Sequence, residues 1–310
     1  MFSKILKSLL LAGTSAAMLV PAASAASFSG YGELFAGAGY QTNSNQEIEL
    51  CSGTQCGSYG SHDQADLSSV GGSAHGNINF DSGLGLQFDV EGQDQGYGSY
   101  SYSNTGGGVH LYKRNADYLW GGFVSIGDPG GSRVVTAGLE GQVFLDKITL
   151  YSQLSYSAGI QGYLQREGEE SWNLHTEVRY FYSDNIAFSA GLGAEASDYN
   201  YSYSSGSDVY SGHNGLLQWD LRAEYLLDDL PLSLFVAYQG GYQAPHYNDN
   251  YSGGTDVYAG RNVISSNTFL LGLHFYFGQT SLIDNDRSGA SLKDYNPWYG
   301  VQPAFNNNYD

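Results

Sequence analysis

Apolar and polar residues alternate along almost the whole chain from Phe28 to Phe277. In the segment LLQWDLRAEYLL, residues 216–227, Trp219 begins an apolar set at every second position and Asp220 begins a polar set between them. A helix would scatter both sets around its circumference, whereas a β-strand places them on opposite faces. The period of two therefore predicts an all-β protein.

Short turns rich in Asp, Asn, Gly and Pro alternate with longer segments rich in Tyr, Ser and Gly. The short turns lie at 81–83, 114–117, 145–147, 183–185 and 227–231. The longer segments lie at about 41–66, 94–107, 161–170, 200–213 and 244–265, with 128–132 as a short member. Transmembrane β-barrels have this arrangement, with brief turns on one side of the membrane and extended loops on the other.

The pattern predicts a transmembrane antiparallel up-and-down β-barrel of twelve strands, within a range of ten to fourteen. The expected strands are about 28–40, 68–80, 84–93, 108–113, 118–127, 133–144, 147–159, 171–182, 185–199, 214–227, 231–243 and 266–277. An even number places both ends of the barrel on the periplasmic side, with the long loops outside.

A soluble β-sandwich is the alternative, since alternation alone does not tell which face is the inside. Two features favour the barrel. Small residues such as Gly191 and Gly193 crowd the polar face, which suits a confined interior. Large aromatic residues such as Trp120, Trp172 and Trp219 lie toward strand ends on the apolar face, where membrane-interface girdles occur.

The last predicted strand carries a recognisable pattern. In GLHFYF, Gly272 is followed in alternation by Phe275 and Phe277. This pattern resembles the terminal-strand signal that barrel-assembly machinery reads in proteobacterial outer-membrane proteins. The chain as a whole resembles the broad class of porin-like outer-membrane β-barrels. The resemblance implies the bacterial outer membrane as location, with membrane lipid and the assembly machinery as partners.

The N-terminal segment has the features of a cleaved export signal. Lys4 and Lys7 precede an uncharged stretch that ends in Ala23-Ser24-Ala25, a small-x-small cleavage site. We therefore expect residues 1–25 to be a signal peptide, 26–277 the barrel and 278–310 a polar periplasmic tail. Export to an oxidising compartment also predicts a disulfide between Cys51 and Cys56, with free thiols or half of a metal site as the alternative.

The charge balance bears on function. The chain has 12 Lys and Arg against 31 Asp and Glu, so nucleic acid is an unsuitable partner. If the apolar faces meet lipid, ten charged side chains face the lumen, and acids predominate among them. These lumen-lining residues are Glu33, Asp89, Glu91, Glu140, Glu177, Arg179, Glu195, Asp220, Arg222 and Glu224. The fold alone would demand their inward placement, because charges in hydrocarbon are costly.

The functional hypothesis is a passive channel for small solutes whose acidic lumen favours cations. The alternative is a non-conducting structural barrel that binds partners through its Tyr-rich outer loops. We expect no enzyme, cofactor or metal: Ser73 and His75 are neighbours, but the sequence indicates no third member of a catalytic triad. The oligomeric state is not predicted.

Two further segments stand apart from the alternation. The tail places Asp284, Asp286 and Gly289 at calcium-loop spacing, but position twelve is Tyr295 instead of Glu, so a disordered polar tail is expected. The second feature is a repeat, YSSGSDVYSGHN at 203–214 and YSGGTDVYAGRN at 251–262. We expect the repeat to extend strands above the membrane, and twinned stacking sites at Tyr210 and Tyr258 are the functional alternative.

Overall fold

The chain forms a closed antiparallel β-barrel. The computed structural model describes residues 26–52, 55–98, 100–129, 132–162, 170–202, 209–244, 246–250 and 257–293. The strands are β1 (Ala26–Ser52), β2 (Gln55–Phe80), β3 (Leu84–Tyr97), β4 (Tyr100–Arg114), β5 (Tyr118–Pro129), β6 (Ser132–Leu145), β7 (Ile148–Gly162), β8 (Glu170–Ser183), β9 (Ile186–Ser202), β10 (Val209–Leu226), β11 (Leu232–Gln243), β12 (His246–Asn250) and β13 (Val257–Phe277). A short helix, α1 (Leu282–Ser288), follows.

Each strand pairs with the next along the chain, and β13 pairs with β1 to close the sheet. The short strand β12 follows β11 along the same path, since both lie between β10 and β13. The barrel therefore has twelve strands that cross it, as the alternation predicts. Among the described strands, closure leaves no sheet edge unpaired. A chain in lipid requires such closure, because its backbone polar groups find no water there.

The five predicted short turns are compact hairpin turns, and their backbone geometry explains their composition. Gly83 has φ of 77° in the turn between β2 and β3. Asp146 and Asp229 also have positive φ, at 29° and 64°, in the turns after β6 and β10. Positive φ is accessible to Gly and tolerated by Asp, so these residues allow the chain to reverse over few positions.

The expected outer connections are largely continuations of paired strands. Strands β1 and β2 remain paired as far as Ser52 and Gln55, and β3 and β4 as far as Tyr97 and Tyr100. The Tyr- and Ser-rich segments also suit extended pairing, because Tyr favours strands. The predicted fourth strand, the shortest in the sequence pattern, is 15 residues long.

The repeated segments flank β12 on both sides in the same register. Tyr210 of β10 and Tyr258 of β13 both pair with Asp249 of β12. The two copies of the repeat therefore pair with the two edges of β12 in the same way. The expected strand extension is present from Val209 in β10 and from Val257 in β13. The side chains of Tyr210 and Tyr258 lie outside the described part of the chain, so the stacking sites stay a prediction.

The two faces of the barrel have opposite polarity. Large apolar side chains project outward, including Leu139 at 71 % exposure, Trp120 at 61 % and Phe269 at 66 %. Polar side chains such as Gln87 and His110 are fully buried inside. A soluble sandwich would bury the first set, whereas a barrel whose outer face meets lipid exposes it. The predicted antiparallel barrel of twelve strands is confirmed over the sandwich.

No helix among the described ranges is long and apolar enough to cross a membrane. The predicted signal peptide, residues 1–25, lies outside the described residues and stays a prediction. The predicted disulfide also stays a prediction: the backbones of Cys51 and Cys56 are direct register partners across the β1–β2 hairpin, but their side chains are outside the described part.

Candidate functional site

The ten charged residues proposed for the lumen all lie at positions whose side chains are buried or half-buried, while their strand neighbours face outward. Asp89, for example, is 3 % exposed between Phe88 and Val90, which are 43 % and 41 % exposed. The set comprises Glu33, Asp89, Glu91, Glu140, Glu177, Arg179, Glu195, Asp220, Arg222 and Glu224. The structure thus places these side chains within the barrel, and they fall into separate groups there.

An internal cavity of about 340 Å³ occupies one side of the lumen. Its wall comes from β1–β3, β8–β11 and β13, together with residues of the C-terminal tail. Six carboxylates and three basic side chains line it, an excess of three negative charges when histidine is neutral. These charged residues are Glu33, Glu91, Glu177, Asp220, Glu224, Asp286, Arg179, Arg222 and Lys293.

Arg222 is the centre of one group in this wall. Its Nη1 donates to Glu33 Oε2 at 2.9 Å, and its Nε lies 3.4 Å from Glu224 Oε2. His274 bridges the same two carboxylates, with Nδ1 2.8 Å from Glu224 Oε1 and Nε2 against Glu33. Tyr276 donates its hydroxyl proton to Glu224. Each carboxylate is therefore held by more than one donor, as buried charges require.

Gly272 of the last strand makes room for this group. It pairs with Phe35 on one side and Phe235 on the other, and a Cβ at Gly272 would overlap the ring of Phe235. The ring in turn lies 3.5 Å beneath the guanidinium carbon of Arg222, a cation–π contact. The glycine of the terminal-strand pattern thus has a structural use inside the barrel, besides the assembly role expected for Gly272, Phe275 and Phe277.

A second group is a hydrogen-bonded row that runs from β2 through β3 and β4 to Glu140 of β6. Ser73 Oγ lies 2.8 Å from His75 Nε2, and His75 Nδ1 lies 2.7 Å from Asp89 Oδ1. The row continues from Asp89 to His110 at 2.8 Å and from His110 to Glu140 at 2.7 Å. Its first three members have the connectivity of a Ser-His-Asp triad. The expectation that His75 and Ser73 have no third partner is therefore wrong.

The sequence could have indicated Asp89 as the partner of His75 through the register of the β2–β3 hairpin. A turn centred on Ser82 places His75 opposite Asp89, as the structure has it. Ser73 stands between Glu33 and Glu91 in register, so carboxylates flank it on both neighbouring strands. An oxyanion hole needs hydrogen-bond donors where negative charge develops.

The C-terminal tail enters the barrel from the end that carries the short turns. The amide of Leu282 donates to Asp184 O in the turn after β8, and Arg287 donates to Asp146 O in the turn after β6. Leu282 packs against Phe181, Leu226 and Tyr276. Leu292 is fully buried among Tyr112, Leu119, Phe144 and Tyr151 of β4–β7. Two apolar anchors thus hold the tail against opposite parts of the wall.

Polar contacts hold the same segment between the anchors. Arg179 Nη1 lies 2.6 Å from Asp286 Oδ1, and Arg179 also pairs with Glu177 on its own strand. Arg114 donates to Gly289 O at 3.1 Å and to Ser291 Oγ at 2.9 Å. Lys293 closes the series by pairing with Glu177. Because the partners come from several strands, the tail fits one place in the lumen.

The expectation of a disordered tail is wrong for residues 279–293. Ser281 caps α1 by accepting from the amide of Asp284 at 3.1 Å, and Asp286 is committed to Arg179. The carboxylate spacing that resembles a calcium loop therefore serves a capped helix and an ion pair. Residues 294–310, including Trp298 and Phe305, lie outside the described part of the chain.

Comparison with known proteins gives architectural likeness only. No protein-family profile and no curated protein matches the sequence. The COG4313 outer membrane channel from Pseudomonas putida F1 aligns over 84 % of this chain and 100 % of its own, at 13 % identity and a TM-score of 0.47. The KdgM porin (76 % and 99 %, 11 % identity, TM-score 0.37) and the NanC porin (78 % and 98 %, 8 % identity, TM-score 0.42) are also similar. These identities are too low to transfer a function.

Proposed function

We propose that this protein is an outer-membrane channel for passive passage of small solutes, with a lumen that favours cations. The observation that carries the proposal is the cavity inside the barrel, whose charged lining has six carboxylates against three basic groups. A negative lining surrounded by low-dielectric wall concentrates cations and repels anions. Small cations and neutral solutes are therefore the expected cargo.

The docked tail bears directly on how such a channel would open. Residues 282–293 lie in the lumen at the end that carries the short turns, and they contact lumenal side chains such as Arg114, Arg179 and Tyr112. We propose that this position is the closed state and that passage requires the tail to leave. The tail is a separate C-terminal segment, so it can do so without breaking any pairing between strands.

The same tail favours the second candidate, a non-conducting barrel that acts at the cell surface. In that case residues 282–293 would be a permanent plug that stabilises the barrel. Binding would fall to the Tyr-rich strand extensions, such as the β1–β2 hairpin that continues to Ser52. Conductance separates the two candidates, since only the first predicts ion flow through the folded protein.

We propose no enzymatic role. The row of Ser73, His75 and Asp89 has triad connectivity, but Asp89 is shared with His110 and Gln87, and acids flank the serine.

We also propose export with removal of residues 1–25, insertion by the barrel-assembly machinery, contact with outer-membrane lipid, and a disulfide between Cys51 and Cys56. The outward-facing Phe275, 56 % exposed, suits recognition of the last strand during insertion.

Ion selectivity in a planar bilayer tests the channel. Glu91→Gln combined with Asp220→Asn removes two cavity-lining charges that are not the main anchors of the tail. We expect the reversal potential in a KCl gradient to move toward zero, because the lining loses two of its three excess negative charges. The matched control is Asp81→Asn in an exposed periplasmic turn, which should leave selectivity unchanged. Unchanged ion selectivity in the double variant would contradict the proposal. So would absence of conductance in the folded protein both with and without its tail.

A further inference from the structure

Three metal-ligand side chains meet on the lumenal wall formed by β8 and β10. One ligand atom each from His175, Glu177 and Asp220 lies within 4.8 Å of the others. His175 and Glu177 are two positions apart on β8, so both face inward, and Asp220 reaches across from β10. An imidazole with two carboxylates is a ligand set that divalent transition-metal ions accept.

A glycine on the strand between them makes this meeting possible. Gly191 of β9 pairs with Glu177 on one side and Asp220 on the other. A Cβ at Gly191 would overlap Asp220 Oδ1 and lie 3.1 Å from His175 Cε1. Any other residue at position 191 would therefore fill the space in which the carboxylate and the imidazole converge. The site depends on this gap as well as on its ligands.

A cation already stands at the cluster, and it belongs to the tail. The ammonium of Lys293 pairs with Glu177 Oε2. Glu177 Oε1 is committed separately to Arg179. The Lys293 side chain is 38 % exposed, whereas that of Glu177 is 1 % exposed. The lysine is thus the accessible and replaceable partner of the buried carboxylate.

We propose that His175, Glu177 and Asp220 form a binding site for a divalent transition-metal ion, and that Lys293 competes with the ion for it. When the tail is docked, the ammonium satisfies the cluster. When the tail leaves, the freed Glu177 Oε2 joins His175 and Asp220 as a ligand. A bound metal ion therefore opposes return of the tail. This competition rests on the proposed function, in which the lumen opens when the tail leaves. The tail and the metal ion then bind the same cluster in turn.

Zinc titration calorimetry on the detergent-folded full-length chain tests this site. Lys293→Met removes the competing charge and keeps the length of the side chain. We expect the variant to bind Zn²⁺ at least tenfold more tightly than the original protein. In the Lys293→Met background, His175→Gln should abolish the gain because it removes the imidazole ligand. Gly191→Ala should do the same by filling the gap with a methyl group.

Lys147→Met is the matched control, because Lys147 lies in a periplasmic turn and donates to the carbonyl of Tyr182. It should leave zinc affinity unchanged. An increase of less than threefold in Lys293→Met, or a gain that survives His175→Gln, would overturn the proposal. Folding of each variant is checked by heat-modifiable gel mobility. Absence of conductance in the bilayer would contradict the channel, but it would not contradict an increase in zinc affinity. Failure of one proposal can therefore be distinguished from failure of the other.

Discussion

Leu292 offers the sharpest test of how the tail is held in the lumen. Its side chain is fully buried among Tyr112, Leu119, Phe144 and Tyr151, and its amide lies 3.2 Å from the side-chain oxygen of Gln87. Leu292→Ala removes the apolar anchor and keeps the backbone contacts. The variant should therefore weaken docking of the tail while the twelve strands remain paired.

The expected loss follows from burial. Each buried methylene contributes about 0.8 kcal/mol, and the cavity left behind adds to that transfer term. Leu→Ala at buried sites costs about 2–5 kcal/mol in total. Since 1.4 kcal/mol corresponds to tenfold in an equilibrium constant, the docking equilibrium should shift by about 30-fold to about 4,000-fold toward the undocked tail.

Amide hydrogen exchange measured by mass spectrometry reports this equilibrium. The amides of Asn285 and Gly289 donate within and just after α1, to Ser281 O and Asn285 O. Peptides that cover residues 282–293 should lose protection by at least 30-fold in Leu292→Ala, because local opening is what exposes these amides. Leu230→Ala is the control: it makes the same substitution in an exposed turn, where the side chain is 54 % exposed. It should leave the tail unchanged.

Protection of residues 282–293 that changes by less than threefold, in a variant whose barrel remains folded, would refute the reasoning. It would mean that burial of Leu292 does not hold the tail. Equal loss of protection in the strands would also count against it, since the substitution would then act on the barrel and not on a separable segment.

Two further predictions concern the chemistry of the wall and the outer hairpin. A fluorophosphonate probe should leave Ser73 unlabelled, because Glu33 and Glu91 flank it and disfavour the developing oxyanion; covalent labelling that Ser73→Ala abolishes would contradict the non-enzymatic proposal. Cys51 and Cys56 should resist alkylation until a reductant is added, as judged by intact mass. Because the loop is small, replacing both by serine should cost about 2 kcal/mol of unfolding free energy or less, and alkylation without reductant would contradict the disulfide.

The barrel could be predicted because its signal is local and repeated. Every strand alternates in polarity, and every short turn carries Asp, Asn or Gly where the chain must reverse. The strands are longer than predicted at the outer end, for example 26–52 against 28–40. Tyr, Ser and Gly alternate weakly there, so the sequence resembles a loop although neighbouring strands continue to pair.

The position of the tail could not be predicted, because its signal is not local. Only a few apolar residues, such as Leu282 and Leu292, distinguish 279–293 from a disordered polar segment. Its other partners include Arg114, Gln87 and Arg179, which come from three different strands. Their convergence depends on closure of the barrel. The lumenal acids, by contrast, followed from alternation, although their grouping around Arg222 and His274 did not.

We propose that the C-terminal segment closes the lumen of the barrel. Single-channel conductance of the full-length chain and of a chain ended after Gly278 tests it most directly, with both proteins folded in detergent and checked by heat-modifiable mobility. The shortened barrel should conduct in large, cation-preferring steps, and the full-length barrel should conduct less or only in brief openings. Equal conductance of the two, or conduction by neither, would contradict the claim.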